Sequence, residues 1–233
     1  MVHNLRSTFS SFLITILTFT TLHAAEPTAK TERTAKSPET KYVTVETIRQ
    51  SLPPAPIVAG FDIDDTVVFS SPGFYFGRHN TDGPGGKSRY GDDFLKSPQF
   101  WKDLNQYHDR YSMKKKSGDD LIQMHKGRGD TIVFITKRPC YDDDAEVLKK
   151  WLNGMFNVRS KVYCTNEQTK TPVMTETGVD VYYGDSDSDI EYAAAVKVKR
   201  VRAIRVERSR LSTNEAGDNP GKFGEEVLAG SEN

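Results

Sequence analysis

Short apolar runs recur along the chain from residue 57 onward. Each is four to seven residues long and rich in β-branched or aromatic residues; they cover Ile57–Ile63, Thr131–Ile135, Val179–Tyr183 and Ala203–Val206. Runs of this length and composition are typical of strands that are buried on both faces of a parallel sheet. The pattern therefore predicts four buried parallel strands.

The segments between these runs carry apolar residues at helical spacing. They predict helices over Asp119–His125, closed by Gly127, over Asp143–Leu152, closed by Gly154, and over Asp189–Val198. Alternating strands and helices indicate an α/β fold with a doubly wound parallel sheet, whose ligands bind beyond the carboxyl ends of the strands.

Two segments stand outside this alternation. Apolar residues from Val43 to Leu52 predict a helix that is capped by Thr44 and ended by Pro53 and Pro54. The stretch from about Phe69 to Ser117 is too long for an ordinary loop, which predicts a small inserted cap.

The first residues resemble a targeting segment. Arg6 precedes the apolar stretch Phe12–Phe19, and small residues follow at Ala24 and Ala25. This order predicts a secretory signal peptide over residues 1–25; an uncleaved anchor is the alternative. Residues 26–41 are polar and read as a linker, which leaves residues 42–233 for the folded domain.

Composition limits the classes of function. Lys plus Arg and Asp plus Glu both number 32, so the formal net charge is zero and nonspecific binding of nucleic acid is disfavoured. A hydrophobic content of 36% excludes a polytopic membrane protein, and no stable membrane association is expected after cleavage. The two cysteines cannot build a disulfide framework.

Acidic residues follow two of the predicted strands. Asp62 and Asp64 lie at the end of the first, and Asp185 begins a second acidic cluster that extends to Asp189. Crowded carboxylates repel one another and favour a bound cation, although an acidic cap or a calcium loop has a similar appearance. A helix–loop–helix calcium loop starting at Asp185 lacks its glycine and its last acidic ligand, because Ile190 and Val196 occupy those positions.

These residues resemble a known family. FDIDDT at 61–66, Thr136-Lys137-Arg138, Lys170 and GDSDSD at 184–189 are similar, in order, to the four motifs of the haloacid dehalogenase superfamily. More narrowly, FDIDDTVVFSSPGFYFG at 61–77, MHKGRG at 124–129 and FGEEV at 223–227 resemble the exported class B bacterial nonspecific acid phosphatases. The resemblance implies a Rossmann-like fold with a small cap, hydrolysis of small-molecule phosphomonoesters such as nucleoside monophosphates, some phosphotransfer, a periplasmic location and a homotetramer.

The resemblance also implies roles for single residues. Asp62 is expected to be the nucleophile that forms an aspartyl-phosphate, and Asp64 the general acid and base. Mg²⁺ is expected on Asp62, Asp185 and the backbone carbonyl of Asp64, with Asp189 behind them. Substrate contacts are expected from Thr136, Arg138, Lys170 and Phe74.

Several of these residues have simpler explanations. Thr136 is a common residue at a strand end, and Lys170 is preferred over Lys161 mainly because its spacing of 15 residues before Asp185 matches the family. Packing explains Phe94 and Trp101, whereas Phe74 aligns better with the aromatic wall of the family's pocket.

Lys137 departs from the family pattern, which has glycine after the threonine of the second motif. We expect Lys137 to point outward and Arg138 to keep its phosphate contact. Cys140 and Cys164 are additional to the pattern, and either a disulfide or two separate buried thiols fits their positions.

Other functions remain compatible with these residues. A protein that binds magnesium and phosphate but has impaired turnover is the main alternative, with Lys137 as the cause. A dehalogenase is disfavoured because Asp64 supplies a proton donor that dehalogenation does not need, and a phosphomutase is disfavoured by the predicted export.

Overall fold

A parallel sheet runs through residues 40–232, which are the residues that this computed structural model describes. The strands in this range are β1 Lys41–Val43, β2 Val58–Phe61, β3 Val68–Phe69, β4 Met113–Lys114, β5 Thr131–Thr136, β6 Lys161–Cys164, β7 Val181–Gly184, β8 Arg202–Val206 and β9 Glu226–Leu228. Seven of them form the main sheet in the order β1-β9-β8-β7-β2-β5-β6, with all pairs parallel. The predicted α/β fold is confirmed.

Helices cover both faces of the sheet. They are α1 Val45–Ser51, α2 Ser71–His79, α3 Pro98–Gln106, α4 Lys116–Arg128, α5 Asp144–Phe156, α6 Thr171–Thr177 and α7 Asp187–Ala194, with short 3₁₀ turns at Pro84–Gly86, Phe94–Lys96 and His108–Tyr111. One core contains Phe61 and Phe134, and the other contains Val133 and Tyr182. Successive residues of a strand point to opposite faces, so β5 contributes to both cores.

The four predicted strands are present as β2, β5, β7 and β8, but β2 is shorter than predicted. It ends at Phe61 because the chain turns there, and Ile63 lies in that turn. Strands β1, β6 and β9 of the main sheet were not predicted; each has three or four residues, which include Lys41, Lys161 and Glu226 respectively. Such short, partly polar segments carry too little apolar signal to be recognised alone.

The helix boundaries differ from the prediction. Helix α4 ends at Arg128 and is closed by Gly129 rather than Gly127. Helix α5 ends at Phe156 and is closed by Asn157 rather than Gly154, because Gly129 and Asn157 are the residues that adopt the left-handed conformation. Gly127 and Gly154 lie within the helices, where a Cβ atom would contact nothing.

The observed ends of α1 and α7 also differ from the predicted ends. Thr44 caps α1 as predicted, but Val43 belongs to β1, where it pairs with Leu228. Helix α7 begins two residues before the predicted Asp189, because Ser186 caps it, and it ends at Ala194 rather than Val198.

Residues 70–112 are inserted between the two strands of a small antiparallel pair. Val68 pairs with Lys114 and Phe69 with Met113, so the two ends of the inserted segment lie side by side. Helices α2 and α3 pack through an aromatic cluster that includes Tyr90, Phe94, Phe100 and Trp101. This segment coincides with the predicted insertion, and its role as a cap stays a prediction.

The signal peptide predicted over 1–25 and nearly all of the linker predicted over 26–41 lie outside the described residues. The linker ends one residue earlier than predicted, because Lys41 is already part of β1. Between residues 40 and 232, none of the helices combines the length and the apolar character that crossing a bilayer requires.

Candidate active site

Asp62 and Asp185 follow two neighbouring strands at the same edge of the sheet. Phe61 is in register with Tyr183, and the backbone N–H of Asp62 donates to the carbonyl of Tyr183 at 2.9 Å. The chain then reverses through Asp65, a residue with a positive φ of 57°. Sheet pairing therefore brings together two carboxylates that are 123 residues apart in sequence.

Three buried carboxylates converge at this edge. Asp62, Asp185 and Asp189 each offer an oxygen, and the three oxygens lie within 4.8 Å of one another. The hydroxyl of Thr66 lies 3.3 Å from Oδ2 of Asp62 and 3.2 Å from Oδ1 of Asp185. The cluster predicted from two distant segments is thus assembled by the fold.

The electrostatics of this cluster favour a cation. Burial raises the pKa of Asp62, with Lys170 opposing this effect and the carboxylates of Asp189 and Asp185 adding to it. Burial also raises the pKa of Asp185, although Arg208 opposes it. The donor set contains only oxygen atoms, which suits a hard divalent cation such as Mg²⁺.

Lys170 lies against the nucleophile candidate. Its Nζ atom donates to Oδ1 of Asp62, to Oδ1 of Asp189 at 2.7 Å and to the hydroxyl of Tyr182 at 2.9 Å. Burial would lower the pKa of Lys170, but the charges of Asp189 and Asp62 outweigh it and raise that pKa. The alternative Lys161 is exposed at the start of β6, away from this group.

Both oxygens of Asp189 accept hydrogen bonds within the protein. Its Oδ1 accepts from Lys170, and its Oδ2 accepts from the backbone N–H and the hydroxyl of Ser186 at 3.1 and 2.7 Å. A Cβ atom at Gly184 would lie 2.4 Å from the Cβ of Asp189, so only glycine lets α7 approach the strand this closely. Asp189 therefore lies where a residue that orients Lys170 is expected.

Arg138 is paired with Asp64. Its Nε and Nη2 atoms donate to the two oxygens of Asp64 at 2.8 and 2.6 Å, and its remaining N–H groups face Asp109 and Asn105. Burial would raise the pKa of Asp64, but the charge and hydrogen bonds of Arg138 lower it. Arg138 also lines the cavity above Asp62, and its phosphate contact stays a prediction.

Thr136 and Lys137 end β5 beside this pair. Thr136 is buried, and its hydroxyl accepts from the backbone N–H of Arg138 at 3.2 Å. Lys137 is exposed, and its carbonyl accepts from the backbone N–H of Glu167 at 2.8 Å. Both residues line the cavity described next.

A cavity of about 420 Å³ opens above the carboxylates. Its walls include Phe74, Leu95, Trp101 and Thr213, and its floor includes Asp62 and Lys170. Phe74 packs edge-on against Trp101, with ring centroids 5.9 Å apart, so the predicted wall residue contacts one that was assigned to packing. Phe94 does not line the cavity and packs against Phe100, as predicted.

Sequence reasoning missed several residues of this site. Thr66 lies within the first motif, but a threonine in a turn is common and carries no separate signal. Arg208 donates to Oδ2 of Asp185, and Asp109 contacts Arg138. Both come from segments without a motif, so their sequence positions gave no sign of these contacts.

Comparisons with known proteins agree with this arrangement. The sequence model of the haloacid dehalogenase superfamily, subfamily IIIB (acid phosphatase), matches residues 32–209. The chain is 39% identical over 199 residues to a class B acid phosphatase of Morganella morganii, covering 82% of this chain and 80% of the relative. It is 38% identical over 215 residues to a class B acid phosphatase of Rahnella sp. (strain Y9602), covering 88% and 86%.

A solved structure shares the fold. It is described as a predicted phosphatase from Clostridium acetobutylicum and superposes with a TM-score of 0.50 at 12% identity, covering 75% of this chain and 95% of that chain. Identity this low supports the fold alone.

Proposed function

The chain belongs to the acid phosphatases of haloacid dehalogenase subfamily IIIB, and on that premise we propose a route by which its own residues hydrolyse phosphomonoesters. The observation that carries the proposal is the convergence of Asp62, Asp185 and Lys170 at neighbouring strand ends. Transfer of a phosphoryl group requires an anionic nucleophile, a site for a cation and a positive charge near the reacting oxygens. Asp62, the carboxylate cluster and the buried ammonium of Lys170 provide these on one cavity floor.

Asp62 is the proposed nucleophile. A carboxylate oxygen of Asp62 bonds to phosphorus while the bond from phosphorus to the ester oxygen breaks, which leaves an aspartyl-phosphate and an alcohol. Water then attacks the phosphorus of this intermediate and releases inorganic phosphate with Asp62 restored. Its place on the cavity floor beside Lys170 supports this role.

Asp64 is the proposed proton donor and acceptor. In the first step its carboxyl group gives a proton to the departing ester oxygen, and in the second its carboxylate takes one from water. Asp64 lines the same cavity as Asp62, and Arg138 holds it there. Arg138 lowers the pKa of Asp64, which favours the carboxylate form that accepts a proton in the second step.

Asp62, Asp185 and the backbone carbonyl of Asp64 are the proposed Mg²⁺ ligands. When bound, the ion would offset the repulsion between the carboxylates and an anionic substrate. Among the chain's own groups, Lys170 donates toward the reacting oxygens, and Asp189 orients it.

Small phosphomonoesters such as nucleoside monophosphates are the proposed substrates. A cavity of about 420 Å³ suits one small molecule, with Phe74 as an apolar wall and Thr136 as a hydroxyl donor near the floor. Phosphotransfer would follow if an alcohol replaced water in the second step. Export to the periplasm and assembly into a homotetramer complete the proposal; the leader-like sequence of residues 1–25 supports the export.

Release of phosphate from p-nitrophenyl phosphate and from nucleoside monophosphates tests the proposal. We expect turnover that EDTA abolishes and Mg²⁺ restores. Asp62→Asn should reduce turnover by on the order of 10⁴-fold or more without loss of folding, whereas Asp92→Asn, on an exposed carboxylate of the inserted segment, should leave it unchanged. A folded wild-type protein that releases no phosphate from any of these esters would instead support the binding-only alternative.

A further inference from the structure

Every N–H donor of the Arg138 guanidinium has an acceptor. The carboxylate of Asp64 accepts from Nε and from one N–H of Nη2. The carboxylate of Asp109 accepts from the other N–H of Nη2 at 3.1 Å. The two N–H groups of Nη1 face Oδ2 of Asp109 at 2.5 Å and Oδ1 of Asn105 at 3.1 Å. A guanidinium has five donors in one plane, so these contacts use all of them.

The inserted segment supplies two of these three acceptors. Asn105 lies near the end of α3, and Asp109 lies in the 3₁₀ turn His108–Tyr111 that follows it. The Asp109 side chain is only 4% exposed and the Arg138 side chain only 1%. Two carboxylates on one buried guanidinium exceed what charge neutralisation alone needs, since a single carboxylate would balance Arg138.

Both ends of this arrangement are anchored. The backbone N–H of Arg138 donates to Thr136 at the end of β5, and the hydroxyl of Ser112 lies 3.3 Å from Oδ1 of Asp109. The Asn105 amide also donates to the carbonyl of Pro139 at 3.0 Å, which ties α3 to the loop that carries Arg138. The plane of the guanidinium is therefore set from two sides.

A fixed guanidinium in turn sets the plane of the Asp64 carboxylate, because it contacts both oxygens of that group. We infer that Asp109 and Asn105 are positioning residues that act through Arg138 to aim Asp64 at the ester oxygen. This inference rests on the proton-donor role proposed for Asp64. The inserted segment thereby contributes to proton transfer as well as to the cavity wall.

The identity of the leaving group provides the test. An alkoxide such as that of glycerol 2-phosphate needs a proton as it departs, whereas nitrophenolate departs without one. The value of kcat/KM reports the steps up to the first departure, so it isolates proton donation from the later attack of water. We expect Asp109→Asn to lower kcat/KM for glycerol 2-phosphate by on the order of 10²-fold and that for p-nitrophenyl phosphate by less than about threefold.

Three further variants make the outcome specific. Asp109→Glu should recover part of the loss on glycerol 2-phosphate, and Asp92→Asn, the same change on an exposed carboxylate of the same segment, should have no effect. In an Asp64→Asn background, adding Asp109→Asn should change the ratio of the two kcat/KM values by less than about twofold, because the group being aimed is already disabled. Should Asp109→Asn fail to fold, Asn105→Leu removes one acceptor of the same guanidinium without a change of charge.

The results separate the inference from the proposed function. If Asp109→Asn lowered kcat/KM equally for the two substrates, or for neither, the positioning role would be overturned while the phosphatase proposal would stand. The positioning role would also be overturned if, in the Asp64→Asn background, adding Asp109→Asn changed the ratio of the two kcat/KM values as much as it does in the wild-type protein. If the wild-type enzyme hydrolysed neither ester, the proposed function itself would fail.

Discussion

Cys140 and Cys164 form a disulfide that joins the loop after β5 to the end of β6, with their Cα atoms 5.9 Å apart. Cys140 lies two residues after Arg138, and the loop that begins after Cys164 leads to Lys170. One backbone hydrogen bond from Thr165 to Thr136 and another from Glu167 to Lys137 hold the same two segments together. Of the two arrangements compatible with the sequence, the structure has the bridge.

Removing this bridge should destabilise the protein. A disulfide between residues 24 apart restricts the unfolded chain by about 3 kcal/mol, so the double variant Cys140→Ser/Cys164→Ser should lose about that much unfolding free energy. Urea unfolding with and without reductant measures it. Reductant should shift the midpoint of the wild-type protein and leave that of the double variant unchanged; equal midpoints for both proteins under oxidising conditions would contradict the prediction.

Sequence patterns predicted the parts of the site that lie at strand ends. Asp62 and Asp185 follow apolar runs, and parallel strands end at one edge, so their proximity could be expected. Arg208 and Asp109 could not be predicted, because each reaches the site from a segment whose path depends on packing. The pairing of Arg138 with Asp109 could not be predicted for the same reason, since Asp109 lies 29 residues earlier in an insertion.

A buried histidine should make stability depend on pH. His125 lies 2.7 Å through Nδ1 from Asp130 and 2.9 Å through Nε2 from the hydroxyl of Tyr183. The Asp130 carboxylate can only accept, so Nδ1 donates to it, and in the neutral imidazole Nε2 accepts from the Tyr183 hydroxyl. Burial lowers the pKa of His125, against the opposing effect of Asp130.

The sign of the effect follows from this lowered pKa. The unfolded chain binds a proton at His125 below about pH 6.5 while the folded chain does not, so stability is complete above that pH and falls as the pH decreases. Between pH 8 and 5 the wild-type protein should lose up to about 2 kcal/mol through this residue. Asp130, whose pKa is lowered, adds a further loss only at more acidic pH.

Urea unfolding at several values from pH 5 to 8 checks this expectation. His125→Asn keeps a donor for Asp130. In this variant the unfolding free energy should depend less on pH than in the wild-type protein, although it is lower at pH 8. His79→Asn, on an exposed histidine of α2, should retain the wild-type slope. Parallel profiles for wild type and His125→Asn would show that the histidine is not the titrating group.

Arg208 should stabilise the carboxylate cluster when no ion is bound. Its Nε atom donates to Oδ2 of Asp185, and the two side chains are 6% and 2% exposed. Removal of one partner from a buried ion pair leaves an uncompensated charge, so Arg208→Gln should cost about 3 kcal/mol of unfolding free energy in EDTA. The exposed Arg210→Gln is the matched control.

Added Mg²⁺ should recover part of that loss, because a cation beside Asp185 would replace the missing charge and binding to the folded state raises stability. Thermal unfolding in EDTA and in Mg²⁺ measures both effects. An unfolding free energy in EDTA that equals that of wild type would contradict the role of Arg208, and an identical Mg²⁺ response in both proteins would contradict its link to the cation.

Covalent trapping tests the central claim most directly. The enzyme is mixed with p-nitrophenyl phosphate, quenched in acid, and treated with borohydride, which reduces an acyl phosphate to the alcohol. Peptide mass spectrometry then locates the modified residue. The account predicts modification at Asp62 alone, absent from Asp62→Asn and from enzyme without substrate; modification at another residue, or none during rapid turnover, would contradict it.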